Sequence, residues 1–434
     1  MICCRATYLM SRKKGSRVQY NKLVPENSFL GDYMKYMDPL ETAYAYDFWT
    51  AVWLLGNTCG RGLYVDRPGA PVYLNVFAIL VAESGVTRKS TAVRHATGFA
   101  RDLGKTNPLL IETKTTPEKL QHVLWKQSEA DGHSAAYISV SELATFLGRE
   151  KYVETMPALL TDLYDCPEIR TGGGTLGAGT QTLRNVYLSF LSASTPSWLL
   201  RAVNPDVIEG GFTSRVVFIV SEEPKRQQSW PEPLDGELQI KLQGHLQSIA
   251  DKSRDVGRLQ ISEGGRKTFD KWYRSRVHHR DPFRASFQSR EDAHILRLAG
   301  LLSINDDTWH IQHNHIVAAI KIITQVREDG ASIFEGTGSN SRIVVGIDKV
   351  RDKLLAAGIN GLPQRDLTKA VAAYMNAEHM IACLDIMHEL QMVQKFEQVQ
   401  VGRGRPATIW RGTNQLAASN AITRVVDEYA PSRT

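Results

Sequence analysis

An α/β fold is what this 434-residue sequence predicts: a parallel sheet first, then a helical region, then a winged helix. Three observations predict it. Short apolar runs at 76–81, 108–112, 135–140, 185–191 and 216–220 alternate with helical stretches, the pattern of a parallel sheet covered on both faces. Residues 225–335 then turn helical throughout. Residues 342–412 read as three helices and two strands joined by a basic turn, which is the winged-helix pattern. Composition agrees with a soluble globular chain: 42% hydrophobic and 23% charged residues, with a mildly basic net charge of +6 that suits a polyanionic partner.

Residues 1–70 precede the sheet and read as an N-terminal helical arm, mobile over 1–21. A helix is expected over 39–55, its Phe48, Trp49, Val52, Trp53 and Leu55 crowding one side. They either pack on the core or, less simply, clamp a nucleobase. Residues 60–69 read as loop.

The strand at 76–81 opens the P-loop arrangement. It runs through Ala82 and Glu83-Ser84-Gly85-Val86-Thr87-Arg88 into a helix starting at Lys89-Ser90-Thr91. Backbone N–H groups at such a turn face phosphate, the helix dipole favours the anion, Lys89 would reach the outer phosphates and Ser90 would hold Mg²⁺. The match to G-x-x-x-x-G-K-[ST] is imperfect: Ala82 replaces the first Gly, the loop is one residue longer, and Thr87-Arg88 precedes the Lys. A helix from Thr116 to Asp131-Gly132 follows, with Thr116 as N-cap and Pro117 in the first turn.

The strand at 135–140 ends in Ser141-Glu142, at the carboxyl end of a strand expected beside the P-loop. An acid pair there supports Mg²⁺ and polarises the attacking water. Ser141 takes the usual Asp position and Glu142 the water-activating one; the alternative is Ser141 as an N-cap with an acid in the first turn. A helix at 155–164 leads to the glycine-rich stretch 170–184, read as a hairpin with a flexible tip, functional or merely loose. The strand at 185–191 ends in a hydroxyl-rich tip where Thr195, or second Ser194, would sense the γ-phosphate. Arg215, just before the strand at 216–220, would reach a neighbouring subunit's nucleotide or merely pair a surface acid.

In the helical region, 290–304 is apolar on nearly every side, so its Arg297 is expected to be buried and to need an internal carboxylate or a ligand phosphate. A helix at 315–328 precedes a linker at 336–341. In the winged helix the third helix carries Glu378, Asp385 and Glu389 and no Lys or Arg, which weakens base readout; Arg403 and Arg405 in the wing would contact phosphate. Cys3, Cys4, Cys59, Cys166 and Cys383 show no paired spacing, so free thiols in a reducing compartment are expected. No stretch has the length of a membrane span, no apolar leader opens the chain, and the reading is cytoplasmic.

With these pieces in order, the chain resembles domain-of-unknown-function family 3987 of phages, plasmids and other mobile elements, often beside or fused to primases. The resemblance runs from residue 75 to about 304: Asn75, Glu83-Ser84-Gly85, Arg88-Lys89-Ser90-Thr91, Ser141-Glu142-Leu143, the 191–196 strand end, Ser214-Arg215, and Arg290, His294 and Arg297-Leu298-Ala299. That family also uses an elongated P-loop with Arg before Lys. More distantly, Phe212-Thr213-Ser214-Arg215-Val216 resembles the arginine-finger segment of MCM-type AAA+ helicases, in which a hairpin lines the DNA channel. Ala82 and Ser141 depart from the pattern.

The resemblance implies a P-loop NTPase (AAA+-like) core at 71–224 with a helical lid at 225–335, to which the residue pattern adds a winged helix at 336–412 and a tail at 413–434. It implies ATP and Mg²⁺ as cofactors, with Lys89, Glu142, Thr195, Arg215 and Arg297 catalytic. Residues Glu83 to Thr91 would cradle the nucleotide; Ser90, Ser141 and Glu142 would serve the metal. Arg170, Arg184, Arg403 and Arg405 would contact DNA, expected single-stranded. The implied function is an ATP-dependent DNA motor, a helicase or replication ATPase of a phage or mobile element, assembled as a homo-oligomeric ring or filament, with a primase or replication protein as a further partner. Its rivals are an ATPase switch or loader that binds a protein without unwinding, and a nucleotide-binding scaffold without turnover.

Overall fold

The computed structural model describes residues 17–69, 71–103, 108–147, 155–172, 180–202, 211–279, 281–334, 339–372, 377–398 and 407–417. Residues 20–22 form a turn of 3-10 helix with Val18 and Tyr20 buried, so this end of the expected mobile arm is anchored. Helix α1 (Phe29–Tyr36) starts where the Ser28 hydroxyl accepts the Gly31 N–H. Helix α2 (Tyr44–Cys59) starts and ends later than expected; before its start Met37 and Thr42 bond Lys225 instead, whose N–H donates to the Thr42 carbonyl and whose ammonium donates to the Met37 carbonyl and Asp47. Trp49 and Trp53, at 2% and 0% exposure, fill the core, which removes the nucleobase-clamp option. In the stretch expected to be loop, β1 (Tyr64–Val65) pairs antiparallel with β2 (Val72–Tyr73).

The apolar runs become β3 (Phe77–Val81), β4 (Leu109–Ile111), β5 (Ser134–Val140), β8 (Val186–Ser194) and β9 (Val217–Val220), with the two-stranded hairpin β6 (Ile169–Thr171) and β7 (Thr182–Arg184) before β8. The five form one parallel sheet in the order β4-β5-β8-β3-β9. Every residue of β3 and of β8 is buried, as a parallel sheet covered on both faces requires. Strand β8 runs on through Ser192–Ser194, past its expected end, because β3 and β5 both pair with it there.

Side-chain parity assigns the two faces. On one, the hydroxyls of Tyr137 and Tyr187 donate to the Asn57 and Gly56 carbonyls of α2, and Ser139 bonds Thr97 of α3 (Lys89–Leu103) at 2.7 Å. On the other, Phe190 packs against Phe77 and against Phe146 of α5 (Leu143–Leu147), and Phe77 against Tyr164 of α6 (Thr155–Tyr164). Helix α4 (Pro117–Asp131) lies against β5, capped by Thr116 and closed by Gly132 at φ 71°.

Helix α7 (Pro196–Ala202) follows β8, and α8 (Phe212–Arg215) precedes β9. The helical region contains α9 (Gly236–Val256), a two-residue strand β10 (Arg258–Leu259) parallel to β1, α10 (Glu263–Arg274), α11 (Pro282–Gln288), α12 (Glu291–Asn305) and α13 (His313–Phe334). Helix α9 packs on α1 and α2. The chain divides into two compact units, Met1–Ile333 and Phe334–Thr434.

In the second unit, α14 (Ser339–Ala357) takes up half of the expected linker. A short strand β11 (Leu362–Pro363) precedes α15 (Gln364–Val371), α16 (Ala377–Glu389), β12 (Val393–Gln398) and β13 (Ala407–Gly412), the antiparallel sheet having the order β11-β13-β12. Leu354, Leu367, Met380, Leu384 and Trp410 are among the fully buried side chains of its core. Arg403 and Arg405 lie outside the described residues. Among the described residues no helix is long and apolar enough to cross a membrane.

Candidate functional site

The loop after β3 sits at the carboxyl ends of the parallel strands, where open α/β sheets bind ligands. Glu83 to Val86 are exposed, Gly85 turns the chain at φ 79°, and α3 begins at Lys89. Among the described residues, the backbone N–H groups of residues 83–90 donate to no protein acceptor. Behind them stands the positive end of a 15-residue helix, which favours an anion. Lys89 is half-buried and donates to the Ala82 and Glu83 carbonyls at 2.8 and 3.0 Å. Burial pulls its ammonium below the ordinary lysine value, while the carboxylates of Glu83 and Glu142 push it back up.

Two side chains that sequence reading passed over hold this loop. Tyr46 of α2 donates to the Val81 carbonyl at 2.8 Å and accepts from the buried Thr87 hydroxyl at 3.3 Å, joining the end of β3 to the far side of the loop. Arg88 stands at φ 47°, the left-handed region that a P-loop usually fills with Gly. Its guanidinium pairs Glu41 at 2.9 Å. The Glu41 carboxyl, held below its ordinary value by the Gln228 N–H and by Arg88, fixes that conformation from outside the loop. Neither is legible locally, since Glu41 and Tyr46 lie far from the motif in sequence.

Strand β8 inserts between β3 and β5, so Ser141-Glu142 leave a strand one removed from β3, not its neighbour as expected. Both residues are exposed. Helix α5 closes its first backbone bonds on the Glu142 carbonyl, and the Thr145 hydroxyl donates to the Glu142 carboxylate at 3.5 Å. The cap position therefore belongs to Glu142, not to Ser141. Between them and the loop comes the tip of β8: the Ala82 N–H donates to the Ser194 carbonyl at 3.4 Å, and Thr195 caps α7 by accepting the Trp198 N–H at 3.3 Å. Lys89, Thr195 and Glu142 thus leave the same end of three consecutive strands in the sheet. Ser90, Ser141 and Glu142 offer oxygens to a metal. Among the described residues no group of three or more His, Cys, Asp or Glu could hold a metal ion.

Arg215 and Arg297 lie at the opposite end of the sheet. Arg215 ends α8 just before β9, donates to the Gly211 carbonyl at 3.0 Å, and pairs Asp165 at 3.2 Å with its side chain 12% exposed. The other oxygen of Asp165 accepts from Arg290 at 3.0 Å. The cleft here is lined by Gly211, Ser214, Arg215, Ser286, Ser289 and Arg290.

Arg297 requires a correction. It is buried, but neither a carboxylate nor an accessible ligand position answers its charge: it donates to the Tyr73 carbonyl at 2.9 Å, to the Tyr164 hydroxyl and to Asn75 Oδ1 at 3.3 Å, and lies 4.7 Å over the Tyr164 ring. Asn75 in turn donates to the Tyr164 and Leu188 carbonyls. His294 stacks on Phe287, bonds the Ser214 carbonyl at 2.8 Å through Nε2 and faces the Tyr164 hydroxyl through Nδ1. Asn75, His294 and Arg297, named above among the residues that carry the resemblance, are one buried hydrogen-bonded network that ties α12 to the start of β3 and to the Ser214-Arg215 segment. Arg297 thus stands before the start of β3, whereas the Lys89 loop follows its end.

Of the proposed DNA contacts, Arg170 pairs Asp162 at 3.2 Å and Arg184 is exposed, both on the hairpin at the amino end of β8. Residues 173–179 at its tip lie outside the described residues. Comparison with protein-family models found no match, and comparison with curated proteins found none.

Proposed function

We propose that the first unit is an AAA+-like P-loop NTPase core with its helical lid, that the second is a winged helix, and that the chain is an ATP-dependent DNA motor of the helicase or replication-ATPase kind, working as a ring or filament in a phage or mobile element. The observation that carries the reading is that Lys89, Thr195 and Glu142 all follow the carboxyl ends of three consecutive strands of the parallel sheet.

In this reading the N–H groups of residues 83–90 hold the phosphates, and Lys89 exchanges its two carbonyl partners for β- and γ-phosphate oxygens. Mg²⁺ bound with ATP would neutralise charge developing on the phosphates, beside the Ser90 hydroxyl. The Glu142 carboxylate takes the proton of the attacking water, and the Thr195 hydroxyl orients that water. Arg215 acts on a neighbouring subunit's nucleotide by giving up Asp165 for a phosphate. Ser141, where an acid is usual, favours a second reading, a scaffold that binds nucleotide without turning it over. ATP turnover measured with and without single-stranded DNA decides between them: the motor is stimulated by DNA, whereas absence of turnover alongside tight ATP binding leaves the scaffold.

A further inference from the structure

Helix α10 and the residues after it carry chemistry that the nucleotide site leaves unused. The helix begins at Ser262, whose side chain accepts the Gly265 N–H at 3.0 Å, and Gly265 is its single buried residue. At 100° per residue, Phe269, Trp272, Tyr273 and the following Arg276 share one face, with Arg266 at its margin. Ring centroids of Phe269 and Trp272 lie 5.5 Å apart, those of Trp272 and Tyr273 6.2 Å. The Arg276 guanidinium sits 3.6 Å from the Tyr273 ring centre and 5.4 Å from that of Trp272. Tyr273 is 41% exposed and Phe269, Trp272 and Arg276 are half-buried, so beyond the buried Gly265 on the same face the stripe lies at the surface and not in the core. On the opposite side, Lys267 pairs Glu263 at 2.6 Å and Arg274 pairs Asp270 at 2.9 Å. Among the described residues, Arg266 and Arg276 form no ion pair, the Arg276 Nε donating to the Tyr273 carbonyl at 3.2 Å, so both leave positive charge beside the rings.

We propose that this face binds single-stranded DNA, with bases stacked on Trp272 and Tyr273 and phosphates held by Arg266 and Arg276. Exposed aromatic planes interleaved with guanidinium groups are what sequence-tolerant single-strand binding uses, because every base has a π-face and every linkage a charge. A lipid surface suits the helix less. Its apolar face has no Leu, Ile or Val and includes two arginines, which would have to enter the acyl boundary. DNA is preferred to RNA because the face has no carboxylate to accept a 2′-hydroxyl, Glu263 and Asp270 being turned away and paired. The site is separate from the Lys89 loop, and its test needs no nucleotide.

The test is anisotropy of a labelled oligothymidylate with the full chain, in the absence of ATP and over a salt series. Trp272→Ala and Tyr273→Ala are each expected to weaken binding by about tenfold or more with an unchanged salt slope, Trp272→Phe to retain most of it, and duplex DNA to compete poorly. Arg266→Gln with Arg276→Gln should lower the salt slope by about 0.7 per lost contact. If Trp272→Ala disturbs the circular-dichroism melt, the exposed Tyr273→Ala carries the test. The proposal is overturned by unchanged affinity in the aromatic variants, by equal loss in Trp272→Phe and Trp272→Ala, or by oligouridylate binding more tightly. It also falls if anionic phosphatidylserine vesicles compete as well as unlabelled oligonucleotide. Lys89→Ala should leave this binding untouched, so its failure and that of the ATPase reading are separately visible.

Discussion

His294 shows how one interior side chain ties stability to pH. It is neutral in the fold: Nε2 carries the proton given to the Ser214 carbonyl, and Nδ1 faces the Tyr164 hydroxyl. Burial, reinforced by the Arg297 charge, pushes its pKa down to about 3. Because the folded value lies below the unfolded one, its contribution is fully present above the ordinary histidine value of about 6.5 and is lost as pH falls towards 3. Between pH 7 and pH 5 we expect the first unit to lose roughly 2 kcal/mol of stability from this group. Denaturant titrations at the two pH values check this, and His294→Gln should flatten the difference. At the site itself, Lys89→Ala should abolish nucleotide binding or lower turnover by about 10²- to 10³-fold with the fold intact, since the side chain is only half-buried. Glu142→Gln should keep binding and lose turnover by about 10²-fold or more, because only the base is removed. Equal loss of binding in both would assign Glu142 to capping α5 instead.

The elements were legible where periodicity is strong and illegible where a distant partner sets the limits. All five core strands are visible as apolar runs, and α6 matches its expected bounds. The start of α2 depends on Lys225, and the last residues of β8 depend on two flanking strands, so neither end could be read locally. The miniature strands β1, β2 and β10 pair only because the tertiary fold brings Tyr64 opposite Arg258 and Tyr73. Gly56 makes the same point inside a helix, where Gly ordinarily costs about 1 kcal/mol relative to Ala. A Cβ at Gly56 would lie 2.4 Å from the Leu74 carbonyl oxygen, on the backbone leading into β3. Gly56→Ala should therefore destabilise by about 1–3 kcal/mol despite its better helix propensity, as seen by chemical denaturation. A stabilised variant would mean that α2 and the 74–76 segment can part without cost.

In the whole molecule the two candidate halves of the active site stand at opposite ends of one sheet. Lys89 and Glu142 follow their strands, whereas Arg215 precedes β9 and is held by Asp165 together with Arg290. One chain cannot bring Arg215 to its own Lys89, so the motor reading requires a second copy. Arg215→Ala should bind ATP normally, lose about 10³-fold in turnover, and recover part of it when mixed with Lys89→Ala protein. Asp165→Asn separates that role from simple ion pairing. A finger freed from its intrachain acid should keep or raise turnover, while a purely structural pair should lose stability and turnover together. Parent protein whose specific activity is unchanged on dilution to monomer would make Arg215 an ion-pair residue only.

The chain order of apolar runs, the small-residue turn before Lys89 and the glycine closing α4 were determined by local chemistry, because strand burial, turn geometry and helix capping act within a few residues. Tertiary structure alone decided the strand order that places β8 between β3 and β5, the partners Tyr46 and Glu41 that brace the loop, and the neutral oxygens that buried Arg297 meets in place of a carboxylate or phosphate. Those depend on which surfaces meet after the chain has crossed the sheet. No spacing along the sequence carries that information, because residues such as Asn75 and Arg297 meet only through the packing of α12 against the start of β3.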